Sequence, residues 1–208
     1  RRAATQDPAR APAIRAALQL WEELEATHPG ALGATPAFRW GPHFKEVFAG
    51  TASVTRAVKR LGIPADEFVE LYEDPLHPKE RERKADHDVL RDEVANDLIK
   101  QADAPPGPGV ANLWMFENPC VSFSDRNTVE GTRTWDNPAG TEARHKEVVG
   151  NDLSRTTVTC MLKLHKWGKG WIFENQAHRG IYPKVDDLPW FVEVLEKTQA
   201  AIMPGAMC

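Results

Sequence analysis

The segment 104–109 divides this chain into two parts with different hydrophobic patterns. Its sequence, Ala-Pro-Pro-Gly-Pro-Gly, cannot continue a helix, because proline lacks a backbone N–H and its ring clashes with the preceding turn. Before this segment the apolar residues recur mainly at helical spacing, and after it they recur mainly as in strands. The sequence therefore predicts a mainly helical region over 1–103, a hinge at 104–109, and a β-sheet region with a terminal helix over 110–208, all in one compact domain.

Three helical stretches are expected in the first part, over about 12–28, 43–61 and 78–102. The second has an apolar stripe that includes Phe44, Val47, Val54 and Val58. The third is highly charged and has only a narrow apolar seam, which is typical of a helix that covers a surface.

Five strands and one helix are expected in the second part. The fold class predicted is α+β: a helical N-terminal half packed on a curved, cone-like antiparallel sheet, with a C-terminal helix. The last two strands form a hairpin with Lys169-Gly170 as its turn, so that one face is apolar and the other polar. The predicted elements are strands over Val110–Asp125, Thr128–Trp135, Glu142–Val149, Thr156–Trp167 and Trp171–Tyr182, and a helix over Leu188–Ile202 that starts near Pro189.

Composition restricts the classes of partner. With 41% hydrophobic and 27% charged residues, the 208-residue chain is typical of a globular, soluble protein. No apolar run approaches the roughly 18 residues of a membrane helix, and the scattered basic residues with a net charge of −4 argue against nucleic acid. The expected partner is a small-molecule ligand, with a homodimer or membership of a complex as further expectations.

The cysteines indicate a reducing, intracellular compartment, either cytoplasm or an organelle matrix. There are three of them, widely spaced, with no Cys-x-x-Cys pair, so neither a disulfide framework nor a zinc knuckle is expected. Cys160 lies in an apolar run, where a thiol usually behaves as a small buried hydrophobe. The chain begins Arg1-Arg2 without Met, which suits either a processed precursor or a trimmed chain.

Two segments near the C-terminal end carry a distinctive combination of residues. The first is Thr156–Lys163; the second runs from Gly170-Trp171 through His178 to Pro183. Together they resemble the last two strands of the nuclear transport factor 2 superfamily, whose SnoaL-like members often end in a Gly-Trp-apolar strand followed by His, a small residue and Pro. The resemblance implies a cone of antiparallel strands and helices that encloses a pocket.

The polar face of the predicted hairpin supplies candidate catalytic residues. His165 lies almost opposite Glu174, so the carboxylate would orient the imidazole as a general base, and His178 would be an auxiliary acid. Gln176, Trp114 and Trp135 are the candidate substrate-binding residues, the two indoles as pocket walls. The alternative structural interpretation is a solvated cross-strand His–Glu pair, worth about 0.2–1 kcal/mol.

The leading functional hypothesis is a small-molecule-binding protein that acts as a lyase, isomerase or cyclase. No organic cofactor is expected, because the sequence has no Gly-rich phosphate loop and no dinucleotide fingerprint. A second hypothesis is a non-catalytic subunit or assembly domain that docks through its helical half. A third is a metalloenzyme in which His145, His165 and His178 from neighbouring strands hold the ion, although no metal ligand is assigned. These three hypotheses leave open whether the chain is an enzyme.

Overall fold

A computed structural model describes residues 36–71, 83–119, 123, 131–175 and 183–201 of the chain. These residues form three strands and four α-helices, together with three short 3₁₀ turns at Pro36–Phe38, Ala85–His87 and Val185–Asp187. In chain order the longer elements are β1 (Phe44–Val47), α1 (Ser53–Arg60), α2 (Asp92–Ala102), β2 (Leu113–Glu117), α3 (His145–Lys166), β3 (Gly170–Glu174) and α4 (Pro189–Thr198).

The three strands form one parallel sheet in the order β1-β2-β3. A parallel pair needs a long crossover between its strands, and here α2 lies between β1 and β2 while α3 lies between β2 and β3. The prediction of a curved, cone-like antiparallel sheet is therefore wrong. The coarser expectation, that the chain combines helices with a sheet, holds.

The segment 65–69 runs parallel to β1 along the edge that β2 does not occupy. It makes isolated parallel bridges between Phe44 and Ala65 and between Val47 and Val69. The N–H of Val69 donates to the carbonyl of Glu46 at 2.9 Å. The chain thus leaves β1 toward one side through α1, then crosses back to the other side to form β2. This reversal creates a topological switch point, and the crevice at the carboxyl ends of β1 and β2 is where parallel sheets usually bind ligands.

One face of the sheet forms the hydrophobic core with α3 and α4. Trp114, Phe116 and Val47 point to this face and are each 1% exposed. Phe173 of β3 lies 4.6 Å from Phe191 of α4, measured between ring centroids. The remaining core comes mainly from buried positions of α3 and α4, among them Val158, Met161, Leu164, Phe191 and Val194.

The predicted hairpin over residues 156–182 is wrong because 145–166 is a helix. The positions that α3 buries follow a spacing of three and four, which is the period of a helix. Lys169-Gly170 is not a hairpin turn. Helix α3 ends at Lys166, Gly168 two residues later has a φ of +64°, and the N–H of Lys169 donates to the carbonyl of Leu164 at 3.0 Å. The strand predicted at 142–149 is likewise helical from His145 onward.

Several other predicted elements are confirmed in part. Within 43–61 only 53–60 is an α-helix, because residues 44–47 form β1 instead. Within 78–102 the described α-helix covers 92–102. Residues 131–135 make no strand, only a bridge between Thr134 and Asn137. The C-terminal helix is confirmed, with Pro189 in its first turn. The helix predicted at 12–28 lies outside the described residues.

The predicted division of the chain at 104–109 stays a prediction. This segment lies between α2 and β2, and β1 from the first region pairs directly with β2 from the second, so one sheet draws on both. Cys160 is 1% exposed and has a free thiol, which confirms its expected burial. No helix in the described part of the chain is long and apolar enough to cross a membrane.

Candidate functional site

The structure separates the two residues that were predicted to form a catalytic pair. His165 is exposed in the last turn of α3, whereas Glu174 is half-buried at the carboxyl end of β3. No hydrogen bond or ion pair joins these two described side chains. The other two predicted polar residues, Gln176 and His178, lie outside the described residues.

The two predicted pocket tryptophans have different surroundings. Trp114 is buried in the core, with its indole N–H donating to the carbonyl of Ala111 at 3.2 Å, and it borders a cavity of about 200 Å³ near the amino edge of the sheet. Trp135 is 50% exposed in the turn that follows Thr134. The two rings therefore do not face one common pocket.

The histidine metal site does not form among the described residues. His145 and His165 lie in the first and last turns of α3, so their backbones are about 30 Å apart. Across the described ranges no group of three His, Cys, Asp or Glu side chains could hold a metal ion.

Three glutamates from three neighbouring strands share the face of the sheet opposite the helical core. Glu117 of β2 lies directly across from Glu174 of β3, and Glu46 of β1 lies across from Met115, which is two residues before Glu117. Because alternate residues point to the same face, Glu46, Glu117 and Glu174 project together near the carboxyl edge. We name these three residues the carboxyl cluster. Like charges placed directly opposite destabilise a sheet, so this arrangement is not one that stability favours.

Burial and neighbouring charges change how the carboxyl cluster binds protons. Burial raises the pKa of Glu117 to about 8, and its hydrogen bond with Glu46 and the negative charges of Glu46, Glu174 and Glu70 add to this effect. Burial also raises the pKa of Glu174. The raised pKa favours the neutral acid form of Glu117, which can donate a hydrogen bond.

Glu46 and Glu70 hold the loop that joins β1 to α1. Glu46 is fully buried, and its Oε2 accepts the N–H of Thr55 in the first turn of α1 at 2.7 Å. Glu70 Oε2 accepts the N–H of Gly50 at 2.9 Å. Two non-glycine residues of this loop, Phe48 and Ala52, have φ values of +61° and +50°, a conformation that costs roughly 1–2 kcal/mol per residue. The two carboxylates therefore stabilise a strained loop.

A cavity of about 400 Å³ opens at the carboxyl edge on the side of α3. It extends from the β1–α1 loop and the end of segment 65–69 to the 3₁₀ turn at 85–87 and the first turns of α3. Glu70 lines the cavity, and its negative charge also raises the pKa of Glu117. The three residues of the carboxyl cluster do not line the cavity. Its lining residues include Phe48, Glu70, Leu71, Asp88, Val89 and Leu90.

Sequence reasoning missed most of this site, although two signals were present. The run Trp-x-Phe-Glu-Asn occurs twice, at 114–118 and 171–175, and its two copies are the paired strands β2 and β3. Glu70 follows Gly50 by 20 residues. In nucleotide-binding parallel sheets, an acidic residue at about this distance from the glycine turn contacts the ribose.

Comparison with known proteins gives no family. No family model, no curated protein and no solved structure matches this chain. The resemblance to the nuclear transport factor 2 superfamily thus has no support beyond its own residues, and the antiparallel cone that it implied is not the sheet that the described residues form.

Proposed function

We propose that this protein binds a ribonucleoside, alone or as part of a cofactor, in the cavity at the carboxyl edge of its parallel sheet. The cavity borders the topological switch point beside β1, where parallel sheets bind ligands outside the ends of their strands. Its volume of about 400 Å³ is within the range of sites for small molecules.

The observation that carries the proposal is the position of Glu70. Its carboxylate ends the segment next to β1, accepts the N–H of Gly50 through Oε2, and lines the cavity. The other oxygen, Oε1, is left to accept hydrogen bonds from a ligand. A carboxylate in this place, beside a glycine-containing turn that leads into a helix, suits the two hydroxyl groups of a ribose.

The other side of the cavity suits the base. Leu71, Val89 and Leu90 supply apolar walls for a planar ring. Asp88 lies beside them; its Oδ1 accepts the N–H of Leu90 at 3.2 Å, which leaves acceptor capacity for an exocyclic amino group. Adenosine, which combines a ribose with an amino-bearing ring, is therefore the first probe to test.

The proposal keeps the small-molecule ligand of the earlier hypothesis and changes its site and chemistry. The sequence-based hypothesis was a cofactor-free reaction of a His165–Glu174 pair, whereas the present proposal is the binding of a ribonucleoside. The absence of a dinucleotide fingerprint does not weaken this proposal, because a single nucleoside needs no pyrophosphate loop. The non-catalytic hypothesis is compatible with a bound nucleoside, so the proposal concerns binding first.

Replacing Glu70 with alanine should weaken adenosine binding by at least about tenfold. Hydrogen bonds to a charged group contribute roughly 1.5–3 kcal/mol each, and a loss of about 1.4 kcal/mol is already tenfold in Kd. Isothermal titration calorimetry with adenosine measures this change. The wild-type protein should bind 2′,3′-dideoxyadenosine more weakly than adenosine by a comparable factor, because this analogue lacks the two hydroxyl groups.

Two comparisons make the test specific. Glu67→Ala removes a 71% exposed carboxylate three residues away that does not line the cavity, and it should leave the Kd nearly unchanged. Inosine should bind more weakly than adenosine, because it lacks the exocyclic amino group. Failure of all of adenosine, guanosine, cytidine and uridine to bind wild-type protein would refute the proposal.

A further inference from the structure

The contact between Glu46 and Glu117 requires a proton. Glu46 is fully buried, and its Oε1 has no hydrogen-bond partner among the described residues. The carboxyl of Glu117 projects from the next strand on the same face, diagonally across from Glu46, and the two side chains interact. Two carboxylates have only acceptor oxygens, so they attract one another only when one of them carries a proton.

We propose that Glu46 and Glu117 share one proton at neutral pH, and that this proton fixes the β1–α1 loop in the shape that borders the cavity. The pair itself is a property of the folded chain. Its effect on the cavity rests on the ribonucleoside site proposed above. In this arrangement Glu117 is a positioning residue, because it acts on the ligand through Glu46 and the loop.

Glu46 and the β1–α1 loop connect the shared proton to the cavity. Protonated Glu117 donates to Glu46, and Glu46 in turn accepts the N–H of Thr55 at the start of α1. This holds the strained loop between them, and Phe48 of that loop lines the cavity. Loss of the proton leaves two adjacent buried anions, so Glu46 is pushed from its place and the loop loses one of its two carboxylate anchors.

Within the described ranges, the charged groups with the largest effect on Glu117 all favour its protonated form. They are Glu46 from β1, Glu174 from β3 and Glu70 from the segment beside β1, each of them acidic. The facing amide at the start of α1, the N–H of Thr55, is already bonded to Glu46. On the cavity side the charged or titratable groups are Asp88, Arg83, His87, His145 and Lys146.

The direction of the pH effect follows from the raised pKa of Glu117. A carboxyl group whose pKa is higher in the folded than in the unfolded chain stabilises the fold at pH values below its ordinary range. That stabilisation is lost as the pH rises from about 4.5 to about 8. The loss is complete only after the pH has risen through the folded-state pKa of Glu117.

Glu117→Gln tests the pair without any ligand. Glutamine keeps an N–H donor for Glu46 but does not titrate. We expect the melting temperature of wild type to fall relative to Glu117→Gln by on the order of 5 °C between pH 5.5 and pH 8.5. The exposed Glu196→Gln should follow the wild-type curve. Parallel curves for wild type and Glu117→Gln would overturn the shared proton.

Adenosine titrations on the same proteins test the link to the cavity. Between pH 7 and pH 9 the Kd of wild type should rise about tenfold, whereas the Kd of Glu117→Gln should stay constant. Equal pH dependence in the two proteins would overturn the link. If adenosine binds neither protein while the melting curves still diverge, the ribonucleoside site and the link fail together and the shared proton is supported.

Discussion

Replacing Trp114 with alanine is expected to lower the free energy of unfolding by about 3–5 kcal/mol. The indole is 1% exposed, lies 5.9 Å from the ring of Phe116 between centroids, and donates its N–H to the carbonyl of Ala111. Alanine would leave a large cavity in the centre of the core and one buried carbonyl without its donor. Urea denaturation followed by circular dichroism measures the loss.

Trp40→Ala is the matched control for this substitution. Trp40 is 54% exposed, and the guanidinium carbon of Arg39 lies 5.3 Å from the centroid of its ring. We expect a change below about 1 kcal/mol. If Trp114→Ala cost no more than Trp40→Ala, Trp114 would not be a core residue, and its assignment as a pocket wall would be favoured.

Replacing Glu147 with alanine is expected to cost about 3–5 kcal/mol of folding free energy. Glu147 is 2% exposed in the first turn of α3, and its carboxylate accepts the backbone N–H of Thr132 at 2.6 Å and the hydroxyl of Thr132 at 2.7 Å. Its negative charge also acts on Arg133, a guanidinium whose burial lowers its pKa to about 10. Removing the carboxylate leaves that buried cation less well compensated.

A double-mutant cycle separates the two contributions of Glu147. In an Arg133→Met background the buried cation is absent, so Glu147→Ala should cost clearly less than it does in wild type. Urea denaturation of the four proteins gives the coupling energy. Glu196→Ala, which removes an exposed carboxylate from α4, should change stability by no more than about 0.5 kcal/mol. A loss below about 1 kcal/mol for Glu147→Ala would contradict the structural role assigned here.

Each part of the fold that was predicted from the sequence has a clear hydrophobic pattern of its own. Helix α4 has Pro189 in its first turn and a regular apolar stripe, and strands β2 and β3 are short runs of aromatic and apolar residues. For such segments local preference and tertiary environment agree. The same is true of α1, whose apolar residues recur at helical spacing.

Helix α3 was missed because it buries polar side chains. Glu147, Asn151, Ser154 and Thr157 occupy its inner face, where an amphipathic helix would normally place apolar residues. Each of the four makes at least one hydrogen bond inside the fold, for example from the hydroxyl of Thr157 to Asn118 at 2.8 Å. Because polar residues occupy that face, the sequence shows no apolar stripe at helical spacing there, and the Thr- and Val-rich run resembled a strand. Once α3 was read as strands, β2 and β3 could not be recognised as parallel.

The candidate site was only partly accessible from the sequence for the same reason. Glu174 was singled out, but its neighbours depend on strand register: in a hairpin it faces His165, and in the parallel sheet it faces Glu117. Glu46 was hidden in a segment predicted to be helical. The 20-residue separation of Gly50 and Glu70 acquires meaning only when 44–47 and 65–69 are known to be neighbouring extended segments.

Photolabelling with 8-azidoadenosine, followed by peptide mapping, tests the central claim most directly. A ribonucleoside at the carboxyl edge predicts labels on the β1–α1 loop and on residues 69–71 and 87–90, which border the cavity of about 400 Å³. Excess adenosine should suppress them. Labels confined to 104–111, around the smaller cavity at the amino edge, or labelling that adenosine does not compete with, would contradict the account.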